Sequence, residues 1–210
     1  MTELPALIAA FTTLFIIIDP LGLAPIFLAL TSGMTKQQRF AIALRSCSIG
    51  AILMLAFLCL GETLLNFVGI SMPAFRIAGG ILLFLTALEM LFQKRQARRE
   101  DNANELVIQH HDDPSVFPLA MPLIVGPGAI TTIILLAGQA EGLIGLIAIS
   151  VVMLAVLLSV LMAFLLSPYV EKLLGKTGLN IMTRLLGMLL AALAIQFILD
   201  GISETFGMAA

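Results

Sequence analysis

Residues 14–31, LFIIIDPLGLAPIFLALT, place one aspartate, two prolines and a glycine inside an apolar run. Proline lacks a backbone donor and clashes with the carbonyl four residues back. Pro20 is therefore expected to free the carbonyl of Ile16, and Pro25 that of Leu21. Gly22 permits backbone shapes that other residues resist. Asp19 offers a ligand for an ammonium group or a coupling cation. The alternative is an inert carboxylate, paired with a buried arginine or held protonated. A second run, PLAMPLIVGPGAITT (residues 118–132), is broken at Gly126-Pro127-Gly128. A half-helix starting near Gly128 would offer the N–H groups of Gly128, Ala129 and Ile130 to an anion, aided by its dipole. Freed carbonyls at Ile16, Ile17 and Leu123 would suit a cation. Small residues with both kinds of end fit a small zwitterion. Thr12, Thr13, Thr131 and Thr132 either line that site or bond their own backbone one turn back.

The elements that must position these residues are membrane spans. The chain has 210 residues, 60% hydrophobic and 11% charged, with a mean hydropathy of +1.10. Soluble domains are about 25% charged, so this composition marks an integral membrane protein. Freed backbone groups and a carboxylate are costly in a bilayer, the latter by about 2.5–3.5 kcal/mol on insertion scales. A span needs about 20 mainly apolar residues. Six candidates occur, near 5–30, 41–63, 74–93, 118–138, 143–167 and 182–201. The opening MTELPALIAAF has no positive leader, so the first is expected to be a retained span.

Orientation follows from the basic residues. Lys36, Arg39 and Arg45 fall between spans one and two, Lys94, Arg95, Arg98 and Arg99 between three and four, and Lys172 and Lys176 between five and six. The alternate loops hold none. The positive-inside rule then places both termini outside and the three basic loops in the cytoplasm. The segment 94–117 reads as a cytoplasmic linker. His110-His111-Asp112-Asp113 within it is a weak metal candidate, because no second spaced pair accompanies it.

The halves resemble each other. Asp19-Pro20-Leu21-Gly22 aligns with Gly126-Pro127-Gly128-Ala129 at an offset of 107, and span three aligns with span six at 108, Arg76 on Arg184 and Gly79 on Gly187. Three spans per half is odd, so the second half must enter from the other side, as in the inverted repeats of secondary transporters. The expected fold is all-α: six spans in two inverted three-helix repeats, residues 1–93 and 118–210, with spans one and four broken at the midplane. Packing kinks are the alternative for Pro20, Gly22, Pro25, Gly126, Pro127 and Gly128; two breaks at matching positions favour a site. Gly79 and Gly187 are expected to allow close helix packing, Gln196 to bridge helices, and Glu89 and Asp200 to snorkel. Pro118 and Pro122 shape the start of span four. Cys47 and Cys59 read as buried small hydrophobes. No nucleotide loop, catalytic triad or nucleic-acid patch appears, so an enzyme or pump has little support.

At the two breaks the chain resembles the MarC family of bacterial and archaeal membrane proteins. The matching motifs are residues 19–27, DPLGLAPIF, and 118–130, PLAMPLIVGPGAI, with Arg76-Ile-Ala-Gly-Gly80, Arg184-Leu-Leu-Gly187 and the closing Gln196, Asp200 and Gly201. The family looks related to LysE-type exporters, and members similar to this chain are described as carriers of glycine and alanine. The resemblance implies a secondary transporter of small neutral amino acids in the cytoplasmic membrane, coupled to H+ or Na+ and needing no other cofactor. A homo-oligomer is compatible with it. Two other readings stand beside it: efflux of amphipathic compounds, for which the chain has few aromatics (no Trp, one Tyr), and a non-transporting membrane scaffold.

Overall fold

The computed structural model describes residues 3–94 and 113–207. The metal candidate at His110–Asp112 and most of the linker lie outside the described residues. Among the described residues eight helices follow in order: α1 (Leu4–Ile18), α2 (Pro20–Leu30), α3 (Lys36–Val68), α4 (Met72–Leu91), α5 (Ser115–Ile124), α6 (Pro127–Gly138), α7 (Gly142–Leu165) and α8 (Ser167–Thr205). Among the described residues there is no strand. The expectation of an all-helical membrane protein is met, with five helical spans, or six when α5 and α6 count as one bent span.

Local chemistry sets the ends. Proline stands in the first turn of α1, α2, α4, α6 and α8, where its missing N–H costs nothing. Thr35 opens α3 with a reciprocal capping box to Gln38, and Gly69 closes it at φ 81°. Ser71 Oγ accepts the N–H of Ala74 at the start of α4.

Two boundaries differ from the sequence reading. Helix α3 has 33 residues, about 50 Å at 1.5 Å per residue, against an apolar core of about 30 Å. Lys36, Arg39 and Arg45 therefore belong to its first turns and not to a loop. The segment expected as the loop between spans five and six is also helical: α8 starts at Ser167, turns at Gly175 (φ 59°, ψ 177°) and crosses over Thr177–Thr205.

The first span is the centre of the molecule. Of its most apolar stretch, 72% is buried inside the protein, against 39% for α3 and α7 and 22% for the crossing part of α8. Its main neighbours are α6, α7 and α8, all from the second half. Conversely, α5 packs on α3, and α6 packs on α3 and α4. The halves are interleaved rather than set side by side.

Helices α4 and α8 run antiparallel in close contact, which small residues allow. A Cβ at Gly80 would lie 2.8 Å from Ala194 O and 3.2 Å from Ile198 N; one at Gly187 would lie 3.2 Å from Ala87 O and 3.3 Å from Leu91 N. Gly80 and Gly187 thus make the same contact in reverse, 107 positions apart. This spacing differs by one from the offset of 108 read in the sequence for these two spans. It equals the spacing of Asp19 and Gly126, the residues preceding α2 and α6. Gly79 serves a different contact, against Thr131 of α6.

Candidate functional site

Asp19 separates α1 from α2. Its backbone is left-handed (φ 59°, ψ 66°), its N–H closes α1 on Phe15 O at 2.9 Å, and its own carbonyl accepts the N–H of Leu23 at 3.1 Å. Aspartate is among the few residues that tolerate this conformation. The side chain is 2% exposed, and Oδ1 accepts the N–H of Gly22 at 3.1 Å. A Cβ at position 22 would collide with the same carboxylate, which explains the glycine. The break redirects hydrogen bonds more than it bends the chain, since Leu4–Leu30 still reads as one 27-residue span. Pro25 stays inside α2, and Pro20 occupies its first turn.

The second break differs. Ser115–Ile124 is wound widely, with N–H groups reaching five residues back: Leu119 N to Pro114 O at 3.2 Å and Val125 N to Ala120 O at 2.9 Å. Phe117 and Met121 are extended, each before a cis proline, Pro118 and Pro122. These prolines shape the whole of α5 rather than only its start. Helices α5 and α6 meet at 59°. Gly126 is extended (φ −85°, ψ 171°) and carries no side chain, so nothing caps α6 as Asp19 caps α2. Ile130 N is bonded to Gly126 O at 3.0 Å. That corrects the expectation of three free donors: Gly128 and Ala129 remain, and Ile130 does not.

The two breaks meet. A Cβ on Gly128 would lie 3.2 Å from Ile17 Cγ2 and 3.1 Å from Leu83 Cδ2. Ile17 stands two residues before Asp19, so the start of α6 rests on the end of α1. Ile17 is itself engaged within the protein. Thr13, Thr131 and Thr132 are buried. Thr131 packs on Gly79. Thr132 is fully enclosed, and among the described residues its hydroxyl has no hydrogen-bond partner. Thr12 is set apart: it is exposed, and its hydroxyl donates to Ile8 O at 2.8 Å. Gln196 does not bridge helices; it donates to Asp200 one turn along α8 at 2.7 Å.

Sequence reasoning missed Leu83, whose only signal is the spacing from Gly79-Gly80, and the ion pair Arg76–Glu204 (2.8 Å) between the ends of α4 and α8. It also missed Arg45–Asp113, which ties α3 to the segment before α5. Burial pushes the Asp113 carboxyl up. Hydrogen bonding by Ser115 and the charge of Arg45 outweigh that and hold it below the ordinary 3.8. Cys47 and Cys59 are both free thiols, the first buried and the second exposed.

Fold and site define a polytopic membrane protein with two discontinuous spans that touch at their breaks. The sequence profile of the MarC family of integral membrane proteins matches residues 4–206, and the chain belongs to that family. It is 36% identical over 201 residues to a UPF0056 membrane protein of Aquifex aeolicus, covering 94% of this chain and 92% of the relative. It is 37% identical to one from Archaeoglobus fulgidus (93% and 92% covered) and 33% identical to the UPF0056 membrane protein YhcE of Escherichia coli (97% and 95%). The family is thus bacterial and archaeal. No solved structure matches the chain.

Proposed function

We propose that the protein is a secondary transporter of small neutral amino acids, such as glycine, alanine and serine, in the cytoplasmic membrane. The observation that carries this is the contact between two unlike breaks. One is a helix start already capped by a buried carboxylate, Asp19. The other is an uncapped helix start, with Gly128 and Ala129 N–H groups and an unpartnered Thr132 hydroxyl one turn further on. Opposite electrostatic ends beside each other suit a zwitterion. The substrate carboxylate then sits at the start of α6. Its ammonium, or a coupling H+ or Na+, meets Asp19. Ile17 and Leu83 close in on Gly128, which favours a substrate with a short side chain.

The two inverted repeats belong to this reading, supported by the shared spacing of 107. Because the halves interleave, alternating access moves groups of helices drawn from both halves, not residues 1–93 against 118–210. The charge bias of the loops supports an orientation with both termini outside.

The test is counterflow of labelled glycine or alanine in proteoliposomes, wild type beside Asp19→Asn. Exchange needs a site and no ion gradient. Wild-type exchange is expected; absence of exchange with every small neutral amino acid would overturn the substrate assignment.

A further inference from the structure

A cavity apart from both breaks lies between the start of α3, the end of α7 and the start of α8. Its volume is about 430 Å³, and it is lined by Lys36, Arg39 and Phe40 of α3, Phe164 and Leu165 of α7, and Tyr169 with its neighbours at the start of α8. Three properties set it apart. First, it holds two cations, and among the described residues neither has a carboxylate partner. Arg39 Nε donates to Thr31 O at 3.2 Å, which fixes the guanidinium and leaves its terminal nitrogens for another acceptor. Second, its base is rigid: Phe164 is buried and stacks on Phe27 of α2, ring centres 4.4 Å apart at 7°. Third, its walls run on as apolar surface. Phe40 and Leu44 are exposed one turn apart on α3, and Leu165, Met162 and Leu158 share one exposed face of α7. Tyr169, 71% exposed, stands at the rim, where aromatic rings with a polar tip are placed at membrane interfaces.

A soluble anion would need the cations and not the apolar walls. A hydrocarbon chain alone would need the walls and not the cations. The geometry points to a binding site for an anionic phospholipid of the surrounding bilayer, its phosphate on Lys36 and Arg39 and one acyl chain along the walls set by Phe40 and Leu165. The loop charges assign this edge to the cytoplasmic leaflet, where basic pockets between spans recognise anionic headgroups. This site is independent of the transport reading.

The test is native mass spectrometry of the full-length protein released from detergent with phosphatidylglycerol or phosphatidylcholine of equal chain length. Wild type is expected to retain phosphatidylglycerol at least tenfold better. Lys36→Gln changes an exposed side chain and leaves the fold intact; it is expected to cut that preference about threefold or more, and the double variant with Arg39→Gln to abolish it. Lys172→Gln, exposed and outside the cavity, is expected to leave it unchanged. The proposal is overturned if Lys36→Gln and the double variant keep the wild-type preference, or if Lys172→Gln lowers it equally. It is also overturned if soluble glycerol phosphate displaces the lipid at equal concentration, since the occupant would then be a phosphate alone.

Discussion

Asp19 Oδ1 accepts the N–H of Gly22 at 3.1 Å, three residues ahead in the same chain. The side chain is therefore a structural cap and a buried acidic group at once, and the two roles can be separated. Asp19→Asn keeps an oxygen for Gly22 and tolerates the left-handed backbone. It is expected to fold with a melting temperature close to wild type and to lose transport driven by an ion gradient. Asp19→Ala loses the cap, about 0.5–2 kcal/mol, and adds about 1–2 kcal/mol of backbone strain. Thermal unfolding in detergent should rank Asp19→Ala well below Asp19→Asn; equal stabilities would deny the cap its role.

The glycines at the breaks should separate in the same way. A methyl at Gly22 strikes the Asp19 carboxylate, whereas one at Gly128 meets Leu83 and Ile17 at 3.1–3.2 Å. Gly22→Ala is expected to reduce the yield of folded protein severely. Gly128→Ala is expected to fold and to weaken exchange of alanine more than that of glycine. An unchanged ratio in counterflow would remove Gly128 from the site.

Thr132→Val removes a buried hydroxyl that lacks a partner among the described residues. An unsatisfied buried polar group costs about 1–3 kcal/mol, so this variant is expected to equal or exceed wild type in stability while its half-saturating substrate concentration rises severalfold. Thr12→Val, whose hydroxyl serves only its own helix, should leave that concentration unaltered. A destabilised Thr132→Val would show that the hydroxyl is bonded after all.

The contact between α4 and α8 makes an ordered prediction. A Cβ at Gly80 would approach Ala194 O at 2.8 Å, and one at Gly187 Ala87 O at 3.2 Å. Backbone cannot yield as a side chain does. Gly80→Ala should therefore destabilise by more than Gly187→Ala, with losses on the order of 1–3 kcal/mol as for overpacked cores. Thermal unfolding measured by tryptophan-free methods such as a thiol-reactive dye reports the order.

The Arg45–Asp113 pair predicts an acid effect. The folded carboxyl sits below its ordinary 3.8, so its contribution is present above that value and fades as pH falls through the lower folded one. Both partners are exposed, so the contribution is about 0–1 kcal/mol and sensitive to salt. Asp113→Asn should narrow the stability difference between pH 6 and pH 3 relative to wild type. An identical difference in the two proteins would show that the pair contributes nothing.

Composition and proline placement made the spans legible, because each needs only a long apolar run and a marked end. The two breaks were legible from Asp19-Pro20 and Gly126-Pro127. What lay beyond the sequence was partnership. Nothing local in Gly128 says that Ile17 rests on it, and nothing in Ile130 says that Gly126 O takes its N–H. Gly79 and Gly80 stand side by side, and only the contact with Ala194 shows that it is Gly80 whose packing mirrors that of Gly187. The helical start of α8 was hidden because Lys172 and Lys176 read as loop charges, although the segment is helical from Ser167 and Lys172 is exposed on it.

The burial of the first span has a bearing on synthesis. The segment Leu4–Leu30 is translated before its principal neighbours, α6, α7 and α8. Its hydrocarbon character lets it enter the bilayer alone, but its lasting seat is incomplete until α8 has been made. Until then the lipid, or the insertion machinery, must stand in for protein. Neither half of the polypeptide, produced by itself, can enclose its own broken span; split genes would have to be co-expressed for either product to persist.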